Sequence, residues 1–332
     1  MAFGHGYDLR VSPSLGLASY RGKPAGNEPS DPFGITTTIA SDIPLTGPLA
    51  GKIRVGLALY ALPNTLMRLR AQYAETPFFP YYDNRTQRLT VMPALSVRPF
   101  EQLGIGVGAN VFTGVQGPID VREGQSRALE SRIEQDAGTF ASIVAGARFD
   151  ITKDVHLGLT YRQQFGVPVK IMTTASIGGV PLLVDINATK AFFDPTALIV
   201  ALGYEPLNKR IGVEMDLTYQ RWSSWEGPLL GIDTTVSALS LSSQPPKDLF
   251  KDTYGIRLGG SWVAFDNTKT SIAAQAGAGF ESSMLRADQR QGRTNFVDGP
   301  KLLFGLGVSG RFTGVVGKAL LLGIGAQVQD VG

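Results

Sequence analysis

Residues 210–222 read RIGVEMDLTYQRW, and the pattern repeats every second residue. Ile211, Val213, Met215, Leu217 and Tyr219 fall on one side of an extended chain. Arg210, Gly212, Glu214, Asp216, Thr218 and Gln220 fall on the other. A strand with acids opposite a continuous apolar row has two possible settings. In a half-buried soluble sheet the polar side meets bulk water. In a transmembrane barrel the apolar side meets lipid and the polar side lines a lumen. The rest of the chain decides between them.

The same pattern recurs near 7–20, 33–43, 51–61, 87–98, 102–113, 138–150 and 154–177. It continues at 180–204, 209–222, 252–264, 270–281, 300–312 and 318–330. Most segments exceed the mean soluble strand of about five or six residues and suit the roughly 9–11 needed to cross a bilayer obliquely. Tight connections at 44–50, 99–101, 151–153, 205–208, 265–269 and 313–317 alternate with long ones. The long ones are 21–32, 62–86, 114–137, 223–251 and 282–299, and the tip at Gly178–Gly179 of an extended hairpin takes the remaining place. Outer-membrane barrels alternate in this way, whereas a soluble sandwich has no reason to.

The expected fold is therefore all-β: an antiparallel transmembrane β-barrel of about 14 strands, 13 of them legible, spanning 1–332 as one domain. Short periplasmic turns and long extracellular loops join the strands. A helix is expected only within EGQSRALESRIEQDAG, 123–138. Single-chain bacterial barrels use an even number of strands. Either residues 1–20 hold two strands broken at Pro13, or a closing strand follows Gly332.

Composition excludes several classes. Hydrophobic residues make up 43% of the chain, with no run of eighteen, so a spanning helix is out. Charged residues stand at 18%, below the roughly 25% of soluble domains, and a net charge of +3 without a dense basic run excludes nucleic acid as a partner. The lack of cysteine removes disulfide and zinc–thiolate scaffolds. His5 and His156 are the only histidines, so a His-rich metal site is excluded. No cofactor, metal or enzymatic activity is expected. The start, MAFGHGYDLR, shows no basic segment followed by an apolar one, so no signal peptide is visible.

Four stretches carry a family resemblance: HLGLTYRQQFGVPVKI (156–171), IGVEMDLTYQRWSSWEGP (211–228), KDTYGIRLGGSW (251–262) and GFESSMLRADQRQGRTNFVDGPKLLFGLGVS (279–309). Together, and in this order, they resemble the FadL/TodX family of outer-membrane transporters, over about residues 50–330. The resemblance implies a 14-stranded barrel in the bacterial outer membrane, surrounded by lipid and lipopolysaccharide. It also implies passage of long-chain fatty acids or aromatic hydrocarbons. The Asn-Pro-Ala element that marks the family's N-terminal hatch does not occur in this chain, so hatch gating is not carried over. A lateral opening like the family's would fall near 51–61, at Gly56 and the following Pro63.

Parity assigns the inward faces. They carry Arg54, Arg88, Arg98, Arg148, His156, Arg162, Glu214, Asp216, Arg257, Gln275 and Arg311. Asp216 and Arg257 should be neighbours, with Arg162 and Gln275 at middle height. Arg54, Arg98, Arg148 and Arg311 should lie toward the periplasmic rim, facing water or headgroups, with His156 a luminal hydrogen-bond partner near the same end. These charges either satisfy one another or leave arginines to receive an amphipath's carboxylate. Arg162 and Arg257 are the chosen receivers, within a luminal set completed by Glu214, Asp216 and Gln275.

ETPFFPYYDNR, 75–85, clusters Phe78, Phe79, Tyr81 and Tyr82 in a long loop. These aromatics are either loop packing, part of an interfacial belt, or an apolar capture surface for a ligand, with Leu66, Met67 and Leu69 beside them. Trp222 and Trp225 read as interface anchors. The function expected is passive uptake of hydrophobic small molecules. The alternatives are a barrel recruited as a scaffold for a protein partner, or a nonspecific open channel.

Overall fold

The computed structural model describes residues 10–21, 33–62, 77–85, 89–116, 119–123, 129–133, 136–177, 180–206, 210–227, 230–236, 239–243, 248–286, 295–315 and 318–332. His5, Pro63, Leu66, Met67, Leu69, Arg88 and the Gly178–Gly179 tip lie outside them.

The described residues are mostly strand. The elements begin with β1 (Arg10–Leu17), β2 (Phe33–Asp42), β3 (Ile53–Ala61), helix α1 (Pro80–Arg85), β4 (Thr90–Phe100), β5 (Leu103–Gln116), β6 (Ile119–Glu123) and β7 (Leu129–Ile133). Then come β8 (Asp136–Asp150), β9 (Val155–Arg162), β10 (Phe165–Ile177), β11 (Val180–Asp194), β12 (Ala197–Tyr204) and β13 (Ile211–Gln220). The last are β14 (Leu230–Val236), β15 (Leu239–Ser243), β16 (Thr253–Asp266), β17 (Thr270–Glu281), β18 (Lys301–Val315) and β19 (Lys318–Val331).

Thirteen strands form one antiparallel sheet in the order β1-β2-β3-β4-β5-β8-β9-β12-β13-β16-β17-β18-β19. Neighbours follow the chain, as up-and-down connection by alternating short turns and long loops requires. The concave face of this sheet bounds two cavities, one against β4, β5, β8 and β9 and one running from β8 round to β19. The two ends of the strand order meet at Tyr82 of α1: Tyr20, just past β1, packs on its ring, and Gln329 of β19 bonds its hydroxyl. The sheet is thus curled into a barrel.

The sidedness is inverted relative to a soluble fold. On β13 the outward Ile211, Val213 and Leu217 are exposed, as are Ile256 and Leu258 of β16 and Leu302, Phe304 and Leu306 of β18. The register Leu217↔Ile256 and Met215↔Leu258 makes this row continuous across strands. A belt of exposed leucine, isoleucine and phenylalanine is a lipid-facing surface. No helix among the described residues is long and apolar enough to cross a membrane, and the crossing is made by strands.

Four expectations are corrected. The segments 154–177 and 180–204 are not single strands: one breaks at Gln163–Gln164, the other between Asp194 and Ala197, where Pro195 cannot donate to a ladder. Their outer halves, β10 and β11, leave the barrel for a second sheet ordered β15-β14-β11-β10-β6-β7. Within 123–138, residues 129–133 are strand β7, not helix. Leu129 and Ile133 sit four apart, which suits a helix, but LESRI also alternates, and pairing with β6 decides for strand. The one helix of the described residues that spans a full turn of α-helix is instead α1, inside the excursion 62–86. Finally, β1 runs unbroken through Pro13, paired with Thr37, as an end strand with one unpaired side can.

Candidate functional site

At the long-loop end the barrel is capped by the main apolar core among the described residues. Phe78, Phe193, Trp222, Trp225, Leu249, Phe250, Met284, Leu285 and Phe296 pack together there, with Tyr81 against them. Local chemistry brings each in. Phe78 is stitched to the 295–297 segment by backbone hydrogen bonds Phe78 N to Asn295 O (3.0 Å) and Val297 N to Phe78 O (2.8 Å). A short 3-10 turn, Trp222–Ser224, follows β13 and swings both tryptophans inward. Trp222 Nε1 donates to Gln220 Oε1 at 2.9 Å, so its polar edge is satisfied within the core. Phe193 stacks on Trp225, which stacks on Phe250, at centroid separations of 5.7 and 4.6 Å.

Trp222 and Trp225, at 0% and 2% exposure, are therefore cap residues and not interface anchors. Phe78 is likewise buried, with Phe79, Tyr81 and Tyr82 half-buried. The expected capture aromatics do not form an open surface; they belong to or adjoin the closed cap.

A polar network lies under the cap. Glu281, the last residue of β17, is 4% exposed. Its Oε2 accepts a hydrogen bond from Tyr81 Oη at 3.3 Å and sits 3.6 Å from Arg257 Nη2. Lys301, paired with Glu281 across β17–β18, is fully buried. Its Nζ lies 2.7 Å from Asp298 Oδ1 and 4.4 Å over the centre of the Tyr81 ring. Asp298 Oδ2 accepts from Ser283 Oγ (2.9 Å) and Met284 N (2.7 Å). Tyr81 thus stands between a carboxylate and an ammonium, donating to one and offering its π face to the other. Beside it, Gln329 Nε2 donates to Tyr82 Oη at 2.6 Å. Burial first, then the nearby Tyr81, Tyr20, Asp298 and Glu281, push the Tyr82 hydroxyl well above the ordinary tyrosine range.

Below the cap the lumen opens into the two cavities, of about 1120 and 560 Å³. Glu214, Asp216, Arg257 and Gln275 line the larger one together, as parity placed them. Asp216 and Arg257 are register partners, yet the ion pair of Arg257 goes to Glu281. Glu214 and Asp216 have no hydrogen-bond or ion-pair partner among the described residues. Gln275 Nε2 reaches Ser309 Oγ at 3.4 Å, a weak contact. Arg162 lines neither cavity. Because β9 ends there, it sits at the long-loop end opposite Ala197 and Val144, not at middle height.

Glu281 was missed, although its parity with Gln275 along β17 already put it inside. At the short-turn end, Asp150 gathers Arg148 Nε (2.8 Å), His156 Nδ1 (2.8 Å) and Arg98 Nη2 (3.2 Å). Arg54 is not on an open rim: it pairs with Asp42 at 2.6 Å, both side chains 2% exposed.

The fold has solved counterparts. A FadL homologue of Pseudomonas aeruginosa superposes with a TM-score of 0.58 at 12% identity, over 98% of this chain and 80% of that one. A TodX monoaromatic hydrocarbon channel variant gives 0.51 at 13%, over 97% and 88%. The toluene transporter TodX of Pseudomonas putida gives 0.49 at 14%, over 97% and 86%. No protein-family model matches the sequence, and no curated relative does. At these identities the likeness shows the fold alone: an antiparallel β-barrel of the FadL type.

Proposed function

We propose that this chain carries hydrophobic small molecules passively across the bacterial outer membrane, bathed on its outside by lipid and lipopolysaccharide. The reading rests chiefly on the aromatic cap: a compact apolar core closes the long-loop end of a lumen whose walls are rich in glycine and small apolar residues, with a few charged side chains among them. A hydrophobic solute arriving from outside gains by leaving water for such a core. Tyr81 and the charges around it then form a polar step between the core and the lumen. A hydrophobic solute also agrees with the description of one similar solved barrel as a monoaromatic hydrocarbon channel.

Two of the three tryptophans, Trp222 and Trp225, lie in the cap, so intrinsic fluorescence reports on it. In nanodiscs, toluene should change that emission saturably, and Trp225→Phe should reduce the amplitude. A response that rises linearly, as simple partition into lipid does, would count against a capture site. A large steady ion current with no saturable response would favour the open-channel reading instead.

A further inference from the structure

The geometry points to a station for the hydroxyl of a neutral phenol at the foot of the cap, built by Glu281 and Thr253. This assignment rests on the uptake reading above and narrows the solute class within it.

Two buried polar atoms there have no hydrogen-bond partner among the described residues, Glu281 Oε1 and Thr253 Oγ1. Their residues are 4% and 1% exposed. The other oxygen of Glu281 is engaged, with Tyr81 Oη at 3.3 Å and Arg257 Nη2 at 3.6 Å. A buried oxygen that has given up water and gained no partner costs stability at rest, so a pair of them in one place calls for a reason.

The two side chains share one patch of the inner wall. Gly255 of β16 is the register partner of both Thr218 and Glu281. A Cβ on that glycine would lie 3.8 Å from Glu281 Cγ and 3.8 Å from Thr218 Cβ, so Glu281 lies across it. Thr253 follows two residues along the same strand, on the same face and opposite Gln220. Gln220 Oε1 is already held by Trp222 Nε1 at 2.9 Å.

The chemistry of the pair selects the solute. An ionised carboxylate only accepts, whereas a threonine hydroxyl both donates and accepts. A phenol hydroxyl can donate to Glu281 Oε1 and accept from Thr253 Oγ1 at once. A hydrocarbon leaves both atoms orphaned, and a carboxylate has no proton to give Glu281. The rings beside the pair favour an aromatic solute over an aliphatic alcohol. Tyr81, which bonds Glu281, meets the Trp222 ring at 6.1 Å, and Phe250 of the same core lies three residues before Thr253. Both atoms are covered at rest. The solute meets them as it displaces cap side chains on its way from the core to the lumen, whose wall includes Arg257.

The test compares p-cresol with toluene, which differ by one hydroxyl, and with p-methylanisole, whose oxygen has no proton to give. Each is titrated calorimetrically into the protein in nanodiscs, with empty nanodiscs as the blank. Wild type should bind p-cresol about tenfold more tightly than either of the others, the size of a hydrogen bond to a charged group. Thr253→Val should cut that preference about threefold or more and leave toluene within about twofold. Its thermal midpoint without solute should hold or rise, because a methyl then replaces a hydroxyl that has no partner. Glu281→Gln should lower the preference as well, and retained toluene binding shows that each variant is folded. Saturable toluene binding without a preference for p-cresol in wild type overturns the assignment and leaves the uptake reading standing. A preference that survives Thr253→Val overturns it too, and a fall in thermal midpoint alongside would show that Thr253 holds a buried water instead. If neither p-cresol nor toluene binds saturably, the uptake reading fails first and takes this one with it.

Discussion

Asp252 shows how one side chain can hold a functional surface. Just before β16, its Oδ1 accepts the Ser223 backbone N–H at 3.0 Å and its Oδ2 the Tyr219 hydroxyl at 2.6 Å, pinning the turn that carries Trp222. Burial alone would raise this carboxyl, but the hydrogen bonds from Ser223 and Tyr219 outweigh it and hold it below the usual carboxylate range. A depressed folded value stabilises the fold above the unfolded value, about 4, and that contribution is lost as pH falls through the folded value. Asp252→Asn should therefore lower the thermal midpoint at pH 7, and the gap from wild type should close as the pH is taken well below 4. A gap of constant size from pH 7 to pH 2.5 would mean the charged form is not what matters. Glu281 carries a related lesson at the same scale. Alternation along β17 placed it inside, but no sequence pattern says that Tyr81, 200 positions away, donates to it.

Among the elements, β4 and β5 illustrate what period two can and cannot show. Pro93 sits within β4, and the β4–β5 ladder is recorded at Val91↔Val111 and next at Ala94↔Gly108. A Cβ on Gly108 would lie 2.7 Å from the Pro93 carbonyl oxygen and 3.2 Å from the Ala94 Cβ. Gly108→Ala must push two backbones apart and should cost about 1–3 kcal/mol, the range for overpacking. Gly203→Ala, with nothing within 4 Å of the added atom, should be close to neutral. Denaturant unfolding in detergent separates the two, and equal losses would show that glycine content as such, not close approach, governs the sheet. Strand positions, parity and the alternation of turns were legible because lipid on one side and a lumen on the other impose strict alternation. The second sheet was not. Whether β10 and β11 stay in the barrel depends on partners such as β14 and β6, and the break at Gln163–Gln164 carries no strong stop signal. The cap was hidden for the same reason: clustered aromatics in a loop look alike whether they face outward or fold inward over a lumen.

For the molecule as a whole, the main closed apolar core sits at one mouth, so the residues that stabilise the cap also obstruct the path. Tyr82 joins the two functions most directly. Its ring packs on Tyr20 beyond β1, its hydroxyl holds Gln329 of β19, and its edge meets the ring of Tyr81, which contacts Trp222. Tyr82→Phe removes the bond to Gln329 and keeps the ring contacts, which should cost about 0.5–1.5 kcal/mol. Tyr82→Ala removes both and frees α1 from each end of the strand order. Currents across planar bilayers should follow that sequence: a small resting current for wild type, little change for Tyr82→Phe, and a clear rise for Tyr82→Ala. Such a gradation would mean that the cap closes the lumen and that ring packing, more than the hydroxyl bond, keeps it closed. Equal currents in all three proteins would remove the cap from the path and leave Tyr82 a purely structural tie between the sheet's two ends.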